Sequence, residues 1–152
     1  MLLFTNNEAQ NSSSEKININ EHASKRLSDC AYRQQWISEA AYYKAKNRNF
    51  EPGFEVDDWH IAEQDFMQTM IARYLNVCSE DGGITLIGLQ RLAKSLGLEN
   101  ADTIIHKDDL IHEIQIITNN DACFDNYLYK NCNRSDPCLW RAECKKLTAQ
   151  YI

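Results

Sequence analysis

Apolar residues along the chain recur at three- and four-residue steps, the spacing of amphipathic helices. From Ala31 onward, Tyr32, Trp36, Ile37, Ala40 and Tyr43 make a first stripe. Asn47 to Phe54 breaks it, with Pro52-Gly53 as the turn signal. A second stripe follows in Trp59, Ala62, Phe66, Met67, Met70, Ile71 and Tyr74, with Asp57 or Asp58 placed to cap its helix. Two such helices on a short loop predict an αα-hairpin over residues 31–76, with the stripe aromatics facing its core.

The flanks read differently. Residues 1–30 are polar, with isolated aliphatics, and predict a disordered arm. Asn76 to Gly83 ends in Asp81-Gly82-Gly83, so a linker is expected over residues 77–83. Beyond it, Leu86, Leu89, Leu92, Ala93 and Leu96 share a helical face. Gly97 stands at the left-handed cap position, with Leu98 set for the accompanying apolar contact. An extended loop is expected from Glu99 to Ile105. A further helix starts near His106 to Asp109, its acids suiting the helix dipole, and carries Leu110, Ile111, Ile114 and Ile117. The fold class is therefore mainly α: an arm, a hairpin, a helix–loop–helix unit over 84–118 and a cysteine-rich helical tail over 119–152.

Composition agrees. Five Gly and two Pro in 152 residues leave few turns, and 43% hydrophobic residues mark a globular chain. Net charge is −6, which argues against a bulk coater of nucleic acid. The charge is uneven. From Cys123 onward, Lys130, Arg134, Arg141, Lys145 and Lys146 outnumber Asp125, Asp136 and Glu143, giving +2 in a chain otherwise at −8. No apolar run approaches the roughly 20 residues of a membrane span. Met1-Leu2-Leu3-Phe4 is too short for a signal core, so a cytoplasmic, reducing setting without a membrane partner is expected. Neither a nucleophile motif nor a phosphate loop occurs, and none of the metalloprotease patterns is present; a non-enzymatic protein is expected.

Three stretches resemble known families. Ala41-Tyr42 through Arg48, Phe50, Pro52-Gly53, Asp57-Asp58-Trp59 and Ala62-Glu63 resembles a short bacterial domain family of unknown function. Arg48 stands where it could pair with one of the two aspartates across the turn. Leu89, Leu92-Ala93-Lys94, Leu96-Gly97-Leu98 and Lys107, Asp109-Leu110-Ile111, Ile114 resemble the SAP domain, and still more the N-terminal domain of the transcription termination factor Rho. That resemblance implies nucleic-acid contact. Arg91, Lys94, Lys107, Arg141, Lys145 and Lys146 are its candidate phosphate ligands. Within residues 84–117, however, five acids face three cations. Cys123-Phe124, Cys132 and Cys138-Leu139-Trp140-Arg141-Ala142-Glu143-Cys144 resemble a tail that follows such units in small bacterial proteins.

Cys123, Cys132, Cys138 and Cys144 are spaced C-x8-C-x5-C-x5-C. Three readings stand: a zinc site of four thiolates, an iron–sulfur cluster, or metal-free cysteines packed as small hydrophobes. No C-x2-C knuckle is present. If Pro137 opens a helix, Cys138 and Cys144 are separated by a rise of about 9 Å and about 120° around its axis, awkward for one zinc. Phe124, Leu139 and Trp140 are expected to fasten the tail to the helix ending near Ile117. The leading expectation is a nucleic-acid-associated accessory protein. The alternative is a protein–protein adaptor whose tail completes the fold.

Overall fold

The computed structural model describes residues 11–125 and 138–150, with side-chain surroundings for 29–125 and 138–147. Five α-helices appear among them and no strand: α1 (Asn11–Asn47), α2 (Glu55–Glu80), α3 (Leu86–Ser95), α4 (Lys107–Ile117) and α5 (Arg141–Gln150). The all-helical reading holds. α1 runs twenty residues farther back than its apolar stripe predicts, through residues 11–30 of the expected arm. Extending an existing helix requires only one further residue to be fixed per hydrogen bond, so a polar stretch can continue a packed one. Residues 1–10 lie outside the described residues.

α1 and α2 form the hairpin. Ile37, Ala62, Phe66, Met67 and Ile71 are buried, with Trp36, Ala40, Trp59, Met70 and Tyr74 packed around them. Tyr32 and Tyr43, expected in the stripe's core, are about half exposed, at 50% and 54%. The turn is fixed by Arg48. Its Nη1 pairs with buried Asp58, its Nε donates to Glu51 O at 3.1 Å, and its guanidinium lies 5.2 Å from the Phe54 ring centre. Asp58 is therefore not the cap of α2: the helix begins three residues earlier, at Glu55, and Asp58 turns inward to Arg48.

The linker expected over residues 77–83 is shorter than predicted. α2 continues to Glu80 and buries Cys78, leaving only Asp81-Gly82-Gly83 as the turn. Thr85 then caps α3, its Oγ1 accepting from Gly88 N at 3.1 Å. Part of the extended loop between α3 and α4 tightens into a 3-10 turn at Ala101–Thr103, with Ala101 fully buried and Gln90 Nε2 donating to Ile104 O at 3.1 Å. The two halves share one core. Leu89, Leu92, Ala93, Leu96, Leu110, Ile111 and Ile114 pack in the same cluster as the hairpin's Phe66 and Ile71. Units of this size bury too little apolar surface separately, which gives the common core its purpose.

Helix ends follow one rule. Each of α1 to α4 stops at a left-handed residue, Asn49, Gly82, Gly97 and Asn119 in turn. The next N–H bonds back five residues: Phe50 to Ala45, Gly83 to Cys78, Leu98 to Ala93 and Asn120 to Gln115, all at 2.8–2.9 Å. This is the Schellman closure, which satisfies the last carbonyls and aims the chain away.

Arg33 and Tyr74 also cross from the hairpin to α3. Arg33 of α1 reaches the end of α3, so a Cβ at Gly97 would stand 3.1 Å from its Nη1. Tyr74 of α2 crosses α3 at Gly88 and donates from its hydroxyl to Thr85 O at 3.4 Å. Burial, and then the neighbouring Cys78 thiol, push the Tyr74 phenol above its ordinary range.

Gly97→Ala is expected to cost about 1–2 kcal/mol, because φ is +104° there and Arg33 must shift. Gly53→Ala, at φ +100° with open space around it, should cost less; paired urea denaturation curves check the order. The raised phenol gives a second expectation. The stability Tyr74 contributes is complete below the unfolded value near 10.0 and falls as pH rises beyond it, since the unfolded tyrosine ionises first. Melting curves on the alkaline side should show a shallower loss for Tyr74→Phe than for the wild type.

Candidate functional site

Three groups of residues carry candidate chemistry: the cysteine tail, the six cations and the aromatic end of the hairpin.

The tail returns to α4 and is held there by polar side chains. Gln115, buried at 2% exposure, accepts from Phe124 N at 3.1 Å through Oε1 and directs its Nε2 at Cys123 Sγ, 3.7 Å away. One helical turn earlier, His112 Nε2 meets Phe124 O at 2.6 Å, which requires the tautomer with its proton on Nε2. Phe124 and Trp140 are both buried and meet edge to face, with ring centres 6.1 Å apart. Leu139, Cys138, Cys144 and Leu147 pack on the same core. The expected fastening by Phe124, Leu139 and Trp140 is therefore present.

Cys138 and Cys144 do not share a helix. α5 begins at Arg141, whose N–H bonds to Cys138 O at 3.3 Å, and Cys144 N closes the first turn on Trp140 O at 2.9 Å. The helical separation expected for a start at Pro137 does not apply, although Pro137 itself lies outside the described residues. Cys132 also lies outside them. Among the described residues, no group of three or more His, Cys, Asp or Glu side chains gathers as a metal site. The three described tail cysteines are half-buried, Cys138 and Cys144 against the apolar core and Cys123 beside the Gln115 amide.

The six cations divide. Lys94 pairs with Asp102, and Lys107 Nζ donates to Ile84 O at 2.9 Å, tying the start of α4 to the residue two before α3. Lys146 pairs with Glu143 at 2.7 Å. Arg141 is half-buried, while Arg91 and Lys145 are exposed. Lys94, Lys107 and Lys146 thus make internal contacts that hold helices or loops together.

The hairpin's end presents aromatic rings to solvent. Tyr42, Tyr43 and Phe50 are each more than half exposed, and Tyr42 lies 5.5 Å from Tyr43 and 5.7 Å from Phe50 between ring centres. Phe54 is 45% exposed under Arg48. Phe50 itself has φ +57°, directly after Asn49 at the same value. A bulky side chain in this region is a backbone outlier, and such strain persists only where the surroundings over-determine it. Here Phe50 N bonds to Ala45 O, and Arg48 holds Glu51 O on its far side. A groove of about 530 Å³ also opens where the two halves meet, lined by Arg33, His60, Glu63, Met67, Leu96 and Asn119 among others.

Helical periodicity could not single out Gln115 or His112, because both stand among polar positions of α4 and their partner is backbone nine to twelve residues away. Nor could it find Phe50, which lies outside any stripe and is marked only by its place in the family pattern with Pro52-Gly53.

Residues 32–68 match a family described as Protein of unknown function (DUF2934). The matched segment covers the second part of α1, the Arg48 turn and the first half of α2, and so contains the aromatic end. No curated protein and no solved structure matches the chain. Among the described residues, no helix is long and apolar enough to cross a membrane.

Trp140→Ala is expected to destabilise the whole molecule by about 3–5 kcal/mol, since it empties a buried ring site. One cooperative transition should persist, because its neighbours belong to the shared core. Gln115→Leu should cost about 1–3 kcal/mol by leaving the Phe124 N–H unpaired. Thermal unfolding followed by circular dichroism checks both; a Trp140→Ala protein melting with the wild type would contradict the packing described above.

Proposed function

We propose that this chain acts by binding rather than by catalysis, as an all-helical adaptor that presents the Tyr42–Tyr43–Phe50 end of its hairpin to a protein partner. The observation that carries this is Phe50, an exposed aromatic held at positive φ, where folding alone would favour Gly or Asn. Its ring covers no core. Internal bonds hold this strain in place, and contact of the exposed ring with a partner would give it a use. Tyr and Phe supply large, rigid contact area at low entropic cost, as interface anchors do. In this reading α3, α4 and the tail form the base that stiffens the hairpin.

Nucleic-acid contact through the helix–loop–helix unit draws on fewer observations. Lys94, Lys107 and Lys146 make internal bonds, and acids outnumber cations over residues 84–117. Arg91 and Lys145 remain its best candidates.

A photo-crosslinking side chain tests the adaptor reading. Phe50→p-benzoylphenylalanine is expected to give protease-sensitive, nuclease-resistant adducts in the native host. The same residue at Ile105, exposed at 68% on the other half, should give none. Equal yields at both positions, or nuclease-sensitive adducts, would overturn the proposal. Phe50→Gly adds a second readout. Backbone strain is relieved, so the melting temperature should hold or rise while partner retention is lost; a matching loss of both would make Phe50 a structural residue.

A further inference from the structure

Resting on the adaptor reading, we infer that the partner presents a basic segment, rich in arginine or lysine, to the hairpin end. The first support is charge. Lys44 is paired with Asp65 at 2.6 Å and Arg48 with Asp58, which removes both cations from the surface balance. The exposed charges that remain from Tyr42 to Asp57 are Lys46 against Glu51, Glu55 and Asp57. The end is thus aromatic and net acidic, although residues 44–48 read as basic in sequence.

The second support is the behaviour of the rings. Aromatic faces attract ammonium and guanidinium groups. This surface already holds two in that way: Arg48 over Phe54 at 5.2 Å and Lys46 over Tyr43 at 6.0 Å. Tyr42 and Phe50 form the neighbouring exposed pair, tilted at 54°, whereas the cations that stack among the described residues lie over Phe66, Tyr43 and Phe54. An incoming guanidinium can lie on them with its N–H groups toward a carboxylate of Glu51 or Glu55. Glu55 accepts from Gly53 N at 3.1 Å, its carboxyl is held below the usual range first by its own backbone N–H and then by that of Gly53, and it stays charged at neutral pH. A nucleic-acid phosphate would meet the same carboxylates as repulsion, and an acidic peptide likewise.

The test uses the full chain and labelled peptides in fluorescence anisotropy at low salt. The probe is an Arg-Ser repeat peptide; a Glu-Ser repeat of equal length and a single-stranded RNA are the comparisons. The arginine peptide is expected to bind at least tenfold more tightly than either. Tyr42→Ala with Phe50→Gly should weaken it about tenfold or more, as should Glu51→Gln with Glu55→Gln. Asp108→Asn with Asp109→Asn, which neutralises the same number of exposed acids on α4, should change it less than twofold; an equal loss there would reduce the binding to bulk charge and overturn the inference. So would unchanged affinity in the tip variants, or tighter binding of the acidic peptide or the RNA. Self-association of the wild type that disappears in Lys145→Ala/Lys146→Ala would assign the surface to a second copy, and also overturns it. If the arginine peptide fails while Phe50→p-benzoylphenylalanine still captures protein, the partner chemistry is wrong and the adaptor stands. If both fail, the adaptor reading falls as well.

Discussion

The bare backbone of Gly88 is what allows α2 and α3 to touch. A Cβ there would stand 2.9 Å from the Tyr74 hydroxyl and 2.9 Å from Thr85 Oγ1, so any side chain would have to displace the Tyr74 ring and the Thr85 cap at the seam. That seam decides whether the chain has one core or two incomplete ones. With it closed, Phe66 and Ile71 of the hairpin share a cluster with Leu89, Leu92 and Ile114, and Arg33 reaches across to the end of α3. The tail adds Phe124 and Trp140 to the same cluster.

Legibility followed the range of the interactions involved. Stripes at helical spacing foretold α2, α3 and α4 closely, because each buries one face along its own length. Gly97 was readable as a helix stop, whereas Asn49 and Asn119 adopt the same conformation without the residue type that signals it. The joint after Asn76 read as a linker because its composition is polar and glycine-rich. A buried Cys78 two residues later shows that the packed face outlasts that composition. The clamp by Gln115 and His112 depends on where a distant backbone segment lands, which no local pattern encodes.

The candidate sites differ in the same way. Counting cations along the sequence overstates what is available to a ligand, because Lys94, Lys107 and Lys146 are engaged within the fold. Counting them in the hairpin misleads in the opposite sense. Lys44, Lys46 and Arg48 make that stretch look basic, yet two are consumed by Asp65 and Asp58, leaving an acidic, ring-bearing end. Of the aromatics there, Tyr43 alone is expected in the core, from its place in the helical stripe. Their exposure follows from the tight turn at Arg48, which closes the hairpin before Tyr42 and Phe50 can reach its interior.

The tail's attachment also sets an order in time. Hairpin contacts join residues close in sequence, whereas Trp140 must return to a helix some thirty positions earlier, a slower closure. During vectorial synthesis the aromatic end can therefore be finished and displayed while the core still lacks its last face. A nascent chain at that stage already has the Tyr42–Phe50 end in its mature form, while the core still awaits Phe124 and Trp140.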